Sequence, residues 1–99
     1  MILEIKVFCK NNREAVAISE SLLQKKLIAC ASIIDNTESL YMWEGRKCYE
    51  KEALLILKTS VAKKDLCLFA IESLHSYEVP AILFSDLEVN ESYEKWVLS

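Results

Sequence analysis

One apolar stretch constrains the fold more than any other part of this chain. The run Ala53-Leu54-Leu55-Ile56-Leu57 is apolar at every position, whereas a strand with one face in water alternates apolar and polar residues. A few residues earlier comes the segment Ser39-Leu40-Tyr41-Met42-Trp43-Glu44-Gly45, and together the two segments predict a long antiparallel hairpin. Strands that are apolar on both sides are usually covered on both sides. The chain is therefore expected to contain a sheet with two apolar faces.

The size of the chain limits how much of this surface it can cover itself. Its 99 residues correspond to one domain spanning residues 1–99, and such a domain buries roughly two-thirds of the surface of its unfolded chain. Hydrophobic residues make up 53% of the sequence, slightly above the globular average of about 45–50%. Tyr41 and Trp43 lie near the hairpin tip, far from the middle of the sheet, so we expect exposed apolar surface and self-association.

Charge and cysteine spacing exclude several classes of partner. The formal charge is −3, with the two signs interspersed and no basic stripe, which argues against nucleic acid. Charges interrupt the first residues, and no apolar stretch approaches the length of a membrane span. The four cysteines show no C-x-x-C spacing, so free thiols are expected. We expect a cytoplasmic protein without a membrane or nucleic-acid partner.

Hydrophobic periodicity predicts four strands and two main helices in the order β-α-β-β-α-β. The predicted strands are Ile2 to Cys9, Ile28 to Trp43 with an interruption at Asp35-Asn36, Tyr49 to Thr59, and Ala81 to Phe84. The segment from Glu44 to Lys47 is the predicted turn, and Tyr93 to Leu98 is a predicted short terminal helix.

The two main helices have recognisable starts. Asn11 and Glu14 have the spacing of a capping box at the start of the first helix, which extends to about Lys26. Ser60 is predicted to cap the second helix. The inward stripe of that second helix is predicted to contain Leu66, Phe69, Ala70 and Leu74.

This order of elements predicts an α+β, ferredoxin-like fold. Both helices then cover the same face of a four-stranded antiparallel sheet. The opposite face should be polar if it meets water, yet the third strand is apolar on both sides. Other subunits are the expected cover.

Several segments carry a resemblance to a known family. They are Lys26-Leu27-Ile28-Ala29-Cys30-Ala31-Ser32-Ile33, the hairpin Ser39 to Gly45, Leu57-Lys58-Thr59, Leu74-His75-Ser76-Tyr77-Glu78-Val79-Pro80 and the closing Tyr93-x-x-Trp96. Together they resemble the CutA-type divalent-cation-tolerance proteins over nearly the whole chain. The resemblance implies a ferredoxin-like subunit in a compact homotrimer with interlocking hairpins, and a link to copper and other divalent metals. Where that family usually has proline, this chain has Ser76.

The resemblance also implies two metal ligands, Cys9 and His75. A thiolate and an imidazole suit Cu(I) or Zn(II). We expect the second helix to place His75 at the opposite end of the sheet from Cys9, roughly 20 Å away, so that a shared site would form only across the trimer. The alternatives are that Cys9 is a partly buried thiol that behaves as a small apolar residue and that His75 stabilises a helix end.

A second candidate site combines the hairpin with the segment before Pro80. Tyr41, Trp43 and Glu44 of the hairpin could line an intersubunit cleft with Tyr77 and Glu78, forming a pocket for a small ligand or ion. Alternatively, the aromatic residues pack at an interface while Glu78 pairs with a basic residue such as Arg46. The alternating Glu50-Lys51-Glu52 is expected to be solvated or paired across strands.

The sequence contains no G-x-S-x-G motif and no phosphate-binding glycine loop, so we do not expect an enzyme. The main hypothesis is a non-enzymatic, homotrimeric, cytoplasmic protein of divalent metal tolerance that binds copper or another divalent metal weakly. The alternative is a trimeric small-molecule sensor or interaction scaffold that uses clefts between subunits.

Overall fold

The computed structural model describes all residues from 1 to 99. The strands are β1 (Ile2–Cys9), β2 (Cys30–Trp43), β3 (Arg46–Thr59) and β4 (Ile82–Leu87), and the helices are α1 (Asn12–Gln24), α2 (Lys64–Leu74) and α3 (Glu91–Leu98). A 3-10 turn, Val61–Lys63, precedes α2. None of the helices combines the length and apolarity that crossing a membrane requires.

The sheet has the strand order β2-β3-β1-β4, and every neighbouring pair is antiparallel. This confirms the predicted ferredoxin-like arrangement. Leu3 lies opposite Thr59 and Cys9 lies opposite Ala53, so β3 ends beside the beginning of β1. Since α2 follows β3 and runs back along the sheet, its last residue lies near the end of β1. This register decides where the candidate site forms.

The core lies between the sheet and the helices. Leu3, Ile5, Val7 and Cys9 are all buried, as the alternation in the first strand predicts. Leu55 and Leu57 of β3 lie beside them on the same face of the sheet. Ile18 and Leu22 of α1 and Ile71 of α2 complete the core from the helix layer. The face of the sheet that carries these residues is the helix-covered face, and the opposite face is called the open face below.

The predicted inward stripe of α2 is largely wrong. Ala70 is buried as expected, but Phe69 is 75% exposed and Leu66 is 60% exposed, and Leu74 is also exposed. The buried residues of α2 are Cys67, Ala70 and Ile71. Six consecutive residues from 66 to 71 are apolar, so periodicity alone does not determine which side of the helix faces the sheet.

The helix starts differ in how they are capped. Asn11 Oδ1 accepts a hydrogen bond from the Glu14 amide at 2.9 Å, which confirms the predicted cap of α1. Ser60 makes no side-chain capping bond, and it precedes the 3-10 turn instead of α2 itself. The prediction that Ser60 caps the second helix is therefore wrong.

The hairpin of β2 and β3 contains the two features that the sequence predicts, a bulge within β2 and a turn between the strands. The register shifts between Ile34 and Thr37, and Asn36 has a φ of 56°, as expected of a bulge at Asp35-Asn36. The turn is tighter than predicted, because only Glu44 and Gly45 separate the strands, with φ values of 48° and 78°. Two consecutive positive φ angles characterise a two-residue type I′ turn.

The open face retains the apolar surface that the sequence predicts. Ile34 is exposed, Leu83 is 49% exposed, and Leu54 and Ile56 are only partly covered. Beyond the helices the hairpin exposes Leu40, Met42 and Trp43 as well. An apolar area of this kind usually marks an interaction surface.

Candidate functional site

Three potential metal ligands meet at the end of β1. Cys9 Sγ, a carboxylate oxygen of Glu14 and an imidazole nitrogen of His75 all lie within 4.8 Å of one another. Cys9 is the last residue of β1, Glu14 lies in the first turn of α1, and His75 follows directly after α2. This cluster is called the Cys9 cluster below.

The expected separation of roughly 20 Å between Cys9 and His75 is wrong, because one chain brings both residues together. The reason is the antiparallel pairing of β1 with β3. Since α2 starts at the beginning of β1, its C-terminal end lies beside Cys9. Glu14, which sequence reasoning used only as part of a helix cap, is the third member of the cluster.

Both ring nitrogens of His75 are already hydrogen-bonded. Nδ1 accepts the Tyr77 amide hydrogen at 3.0 Å, and Nε2 lies 2.8 Å from the Phe8 carbonyl oxygen. A carbonyl can only accept and an amide N–H can only donate, so Nε2 is the donor and Nδ1 the acceptor in these two bonds. The side chain is fully buried. His75 therefore ties the loop after α2 to the end of β1.

Glu14 connects the same two segments through its two oxygens. Oε1 accepts the Lys10 amide hydrogen and Oε2 accepts the Ser76 amide hydrogen, each at 2.9 Å. Burial acts to raise the pKa of Glu14, but these hydrogen bonds outweigh it and the pKa is lowered overall. The bond from Ser76 depends on the residue that stands there, because the proline usual in the CutA-type family has no amide hydrogen.

Cys9 is fully buried and holds its proton tightly. Burial, followed by the negative charges of Glu14 and Glu52, raises the pKa of its thiol to about 12. A thiol of this kind is neither a ready nucleophile nor a ready metal ligand, because both roles require the thiolate.

A cavity of about 540 Å³ opens on the open face, beside the hairpin. It is lined by Phe8, Ser39, Tyr41, Trp43, Cys48, Glu50, Glu52, Tyr77, Glu78, Val79 and Ala81. Four of the five residues predicted for the cleft therefore border one cavity within a single chain. The fifth, Glu44, lies in the hairpin turn and does not line it.

The cavity contains a buried carboxylate that sequence reasoning missed. Glu52 is only 9% exposed, although it was expected to be solvated or paired across strands. Its Oε2 accepts the hydroxyl hydrogen of Tyr77 at 2.7 Å, and burial together with this bond raises the pKa of Tyr77 well above its ordinary value. Within the chain, Glu78 forms no ion pair with Arg46.

Comparison with known proteins identifies the family. The model of the CutA1 divalent ion tolerance protein family matches residues 4–99. The divalent-cation tolerance protein CutA of Pyrococcus horikoshii is 39% identical over 85 residues, covering 85% of this chain and 82% of that protein. A CutA homolog of Xenopus laevis is 35% identical over 92 residues, and this chain spans 61% of its length.

A solved structure agrees with these sequence matches. The crystal structure of the divalent ion tolerance protein CutA1 from Ehrlichia chaffeensis superposes with a TM-score of 0.93 at 34% identity, and the match covers 97% of this chain and 91% of that one. The strand order and the long hairpin described above are thus those of a known fold. The chain belongs to the CutA1 divalent ion tolerance protein family.

Proposed function

We propose that this chain acts in divalent metal tolerance as a non-enzymatic homotrimer of the cytoplasm, and that it binds copper weakly at the Cys9 cluster. The observation that carries the metal assignment is the approach of Cys9 Sγ, Glu14 and His75 to within 4.8 Å of one another. A sulfur and a nitrogen ligand favour Cu(I) over hard cations such as Mg²⁺.

The structure of the cluster supports weak binding. The Cys9 thiol has to lose its proton, and one nitrogen of His75 has to release a main-chain partner. Both changes oppose binding, so the affinity is expected to be far below that of a preformed site. The same features support a non-enzymatic role, because a nucleophilic cysteine needs a lowered pKa and a base that is free to take its proton.

Copper titration tests the metal assignment. Cu(I) affinity is measured under reducing conditions by competition with a chelator, for the wild type, Cys9→Ala and His75→Ala. Cys48→Ala is the matched control, since this cysteine lies outside the cluster. Both cluster variants are expected to lose affinity while the control retains it. Unchanged binding in both variants would eliminate the proposed ligands.

Trimer formation is supported by the uncovered apolar surface. The open face carries the exposed Ile34 and Leu83 and the half-buried Leu54 and Ile56, and further copies of the chain provide the same apolar surface in return. A cytoplasmic location is supported by the four cysteines, which are all free thiols, as is typical of a reducing compartment.

A second candidate function is that of a trimeric small-molecule sensor or scaffold. The observation that favours it is the cavity of about 540 Å³, which falls within the range of small-molecule sites, about 300–1,000 Å³. In this function the aromatic residues of the hairpin contact a ligand, and neighbouring subunits complete the cleft. A thermal-shift screen separates the two functions, because a bound ligand raises the melting temperature of a protein. The sensor function predicts that metabolites, and not metals, raise the melting temperature of this chain.

A further inference from the structure

The cavity on the open face combines carboxylates with aromatic rings and contains no basic side chain. Its carboxylates are Glu50, Glu52 and Glu78, and its aromatic residues are Phe8, Tyr41, Trp43 and Tyr77. No lysine, arginine or histidine is among the lining residues. The three carboxylates are therefore the only charged side chains among the lining residues.

Glu52 has a carboxylate oxygen that the chain leaves without a partner. Oε2 accepts from Tyr77, but Oε1 accepts no hydrogen bond and is not sealed from the cavity. None of the three cavity carboxylates forms an ion pair within the chain. A carboxylate that is nine-tenths buried is costly unless a positive charge or further donors compensate it. A cation in the cavity would provide both.

The arrangement of the carboxylates fits an organic cation better than a metal ion. The Cys9 cluster is the one group of three potential metal ligands that converges in this chain, and no cavity glutamate belongs to it. The three glutamates instead line a cavity whose other lining residues include aromatic side chains and Val79. Aromatic faces attract ammonium groups, and they also contact the apolar body of the same molecule.

We propose that this cavity binds an organic ammonium ion with an apolar body. The ammonium group donates to Oε1 of Glu52, and the rings of Tyr41, Trp43 and Tyr77 surround the rest of the ligand. This assignment names the ligand class for the second candidate function and rests on it. The cavity shares no side chain with the Cys9 cluster, although Tyr77 packs against His75 with their ring centroids 4.7 Å apart.

Three probes of nearly equal shape and different charge test the proposal: 2-phenylethylammonium, neutral 2-phenylethanol and anionic phenylacetate. Binding is followed by the fluorescence of Trp43 in a Trp96→Phe background, since these are the two tryptophans of the chain, and is confirmed by calorimetry. A charge-assisted hydrogen bond predicts that the ammonium ion binds at least about tenfold more tightly than the alcohol. Phenylacetate is expected to show no saturable binding.

Variants test whether the ammonium ion binds at Glu52 in this cavity. Glu52→Gln keeps the shape of the side chain and an acceptor for Tyr77 but removes the charge, so it is expected to weaken ammonium binding at least about tenfold. Glu72→Gln, on the exposed side of α2, makes the same chemical change elsewhere and is expected to leave binding unchanged. Cys9→Ser is also expected to bind as the wild type does. Equal weakening by Glu52→Gln and Glu72→Gln would overturn the proposal.

The outcomes distinguish this proposal from the function on which it rests. If the alcohol binds as tightly as the ammonium ion, the cavity is a small-molecule site but the ligand class is wrong. If no probe binds, both the ligand class and the sensor function fail, as they would if a second copy of the chain filled the cavity. Light scattering on the same samples reports assembly independently, so a failure of the trimer proposal is recorded separately.

Discussion

The buried thiol of Cys9 predicts how the stability of the fold depends on pH. Its pKa is raised from 9.0 to about 12 in the folded chain, so the folded state retains a proton that the unfolded state loses above pH 9. The stabilisation is therefore fully present below pH 9 and is lost as the pH rises towards 12. Linkage gives a loss of about 1 kcal/mol in the free energy of unfolding for each pH unit in this window, and roughly 3–4 kcal/mol in total.

Denaturant unfolding between pH 8 and pH 11, with a phosphine reductant present, measures this loss. Cys9→Ser is the matched variant, because its hydroxyl does not ionise in this range. Ionisation of the tyrosines and of Cys67, whose pKa is also raised, contributes equally to the pH dependence of both proteins. The difference between their slopes of unfolding free energy against pH therefore isolates Cys9. The wild type should lose stability more steeply than the variant by about 1 kcal/mol per pH unit. Parallel curves would refute the assignment of a tightly protonated, buried thiol.

Three further substitutions test the hairpin, the helix cap and the open face. Gly45→Ala should destabilise the protein by about 1 kcal/mol in denaturant unfolding, since φ is +78° and nothing lies within 4 Å of the added Cβ; no change would exclude the type I′ turn. Asn11→Ala should cost about 1 kcal/mol, whereas Asn12→Ala, one residue further on, should cost much less. Leu83→Lys should reduce the native mass without loss of circular dichroism. Leu66→Lys, on the helix-covered side, should leave the mass unchanged, and equal behaviour of the two leucine variants would contradict the assignment of the interface.

The order of elements could be predicted from the sequence because local signals agree with the tertiary structure. The alternation in β1, the cap at Asn11 and the bulge at Asp35-Asn36 each depend on a few neighbouring residues. The inward side of α2 could not be predicted, because leucine, phenylalanine and cysteine follow one another without a polar break from 66 to 71. Which of them faces the sheet depends on where the preceding 3-10 turn starts the helix.

The candidate sites were harder to predict because they depend on pairing between distant segments. Cys9 and His75 were identified through the family resemblance, but their distance follows from the register of β1 with β3. Glu14 was predicted only as part of a helix cap, and Glu52 was expected to be solvated or paired across strands because it follows Glu50 and Lys51. Their burial results from the loop between α2 and β4, which places Ser76 over Glu14 and Tyr77 over Glu52.

Measuring the native mass by light scattering at micromolar concentration tests most directly the claim that further copies cover the open face. We expect a particle of three times the 11.4-kDa chain mass, with no dependence on added copper. A well-folded species of 11.4 kDa at the same concentration would contradict it, because the apolar residues of the open face would then be stable in water.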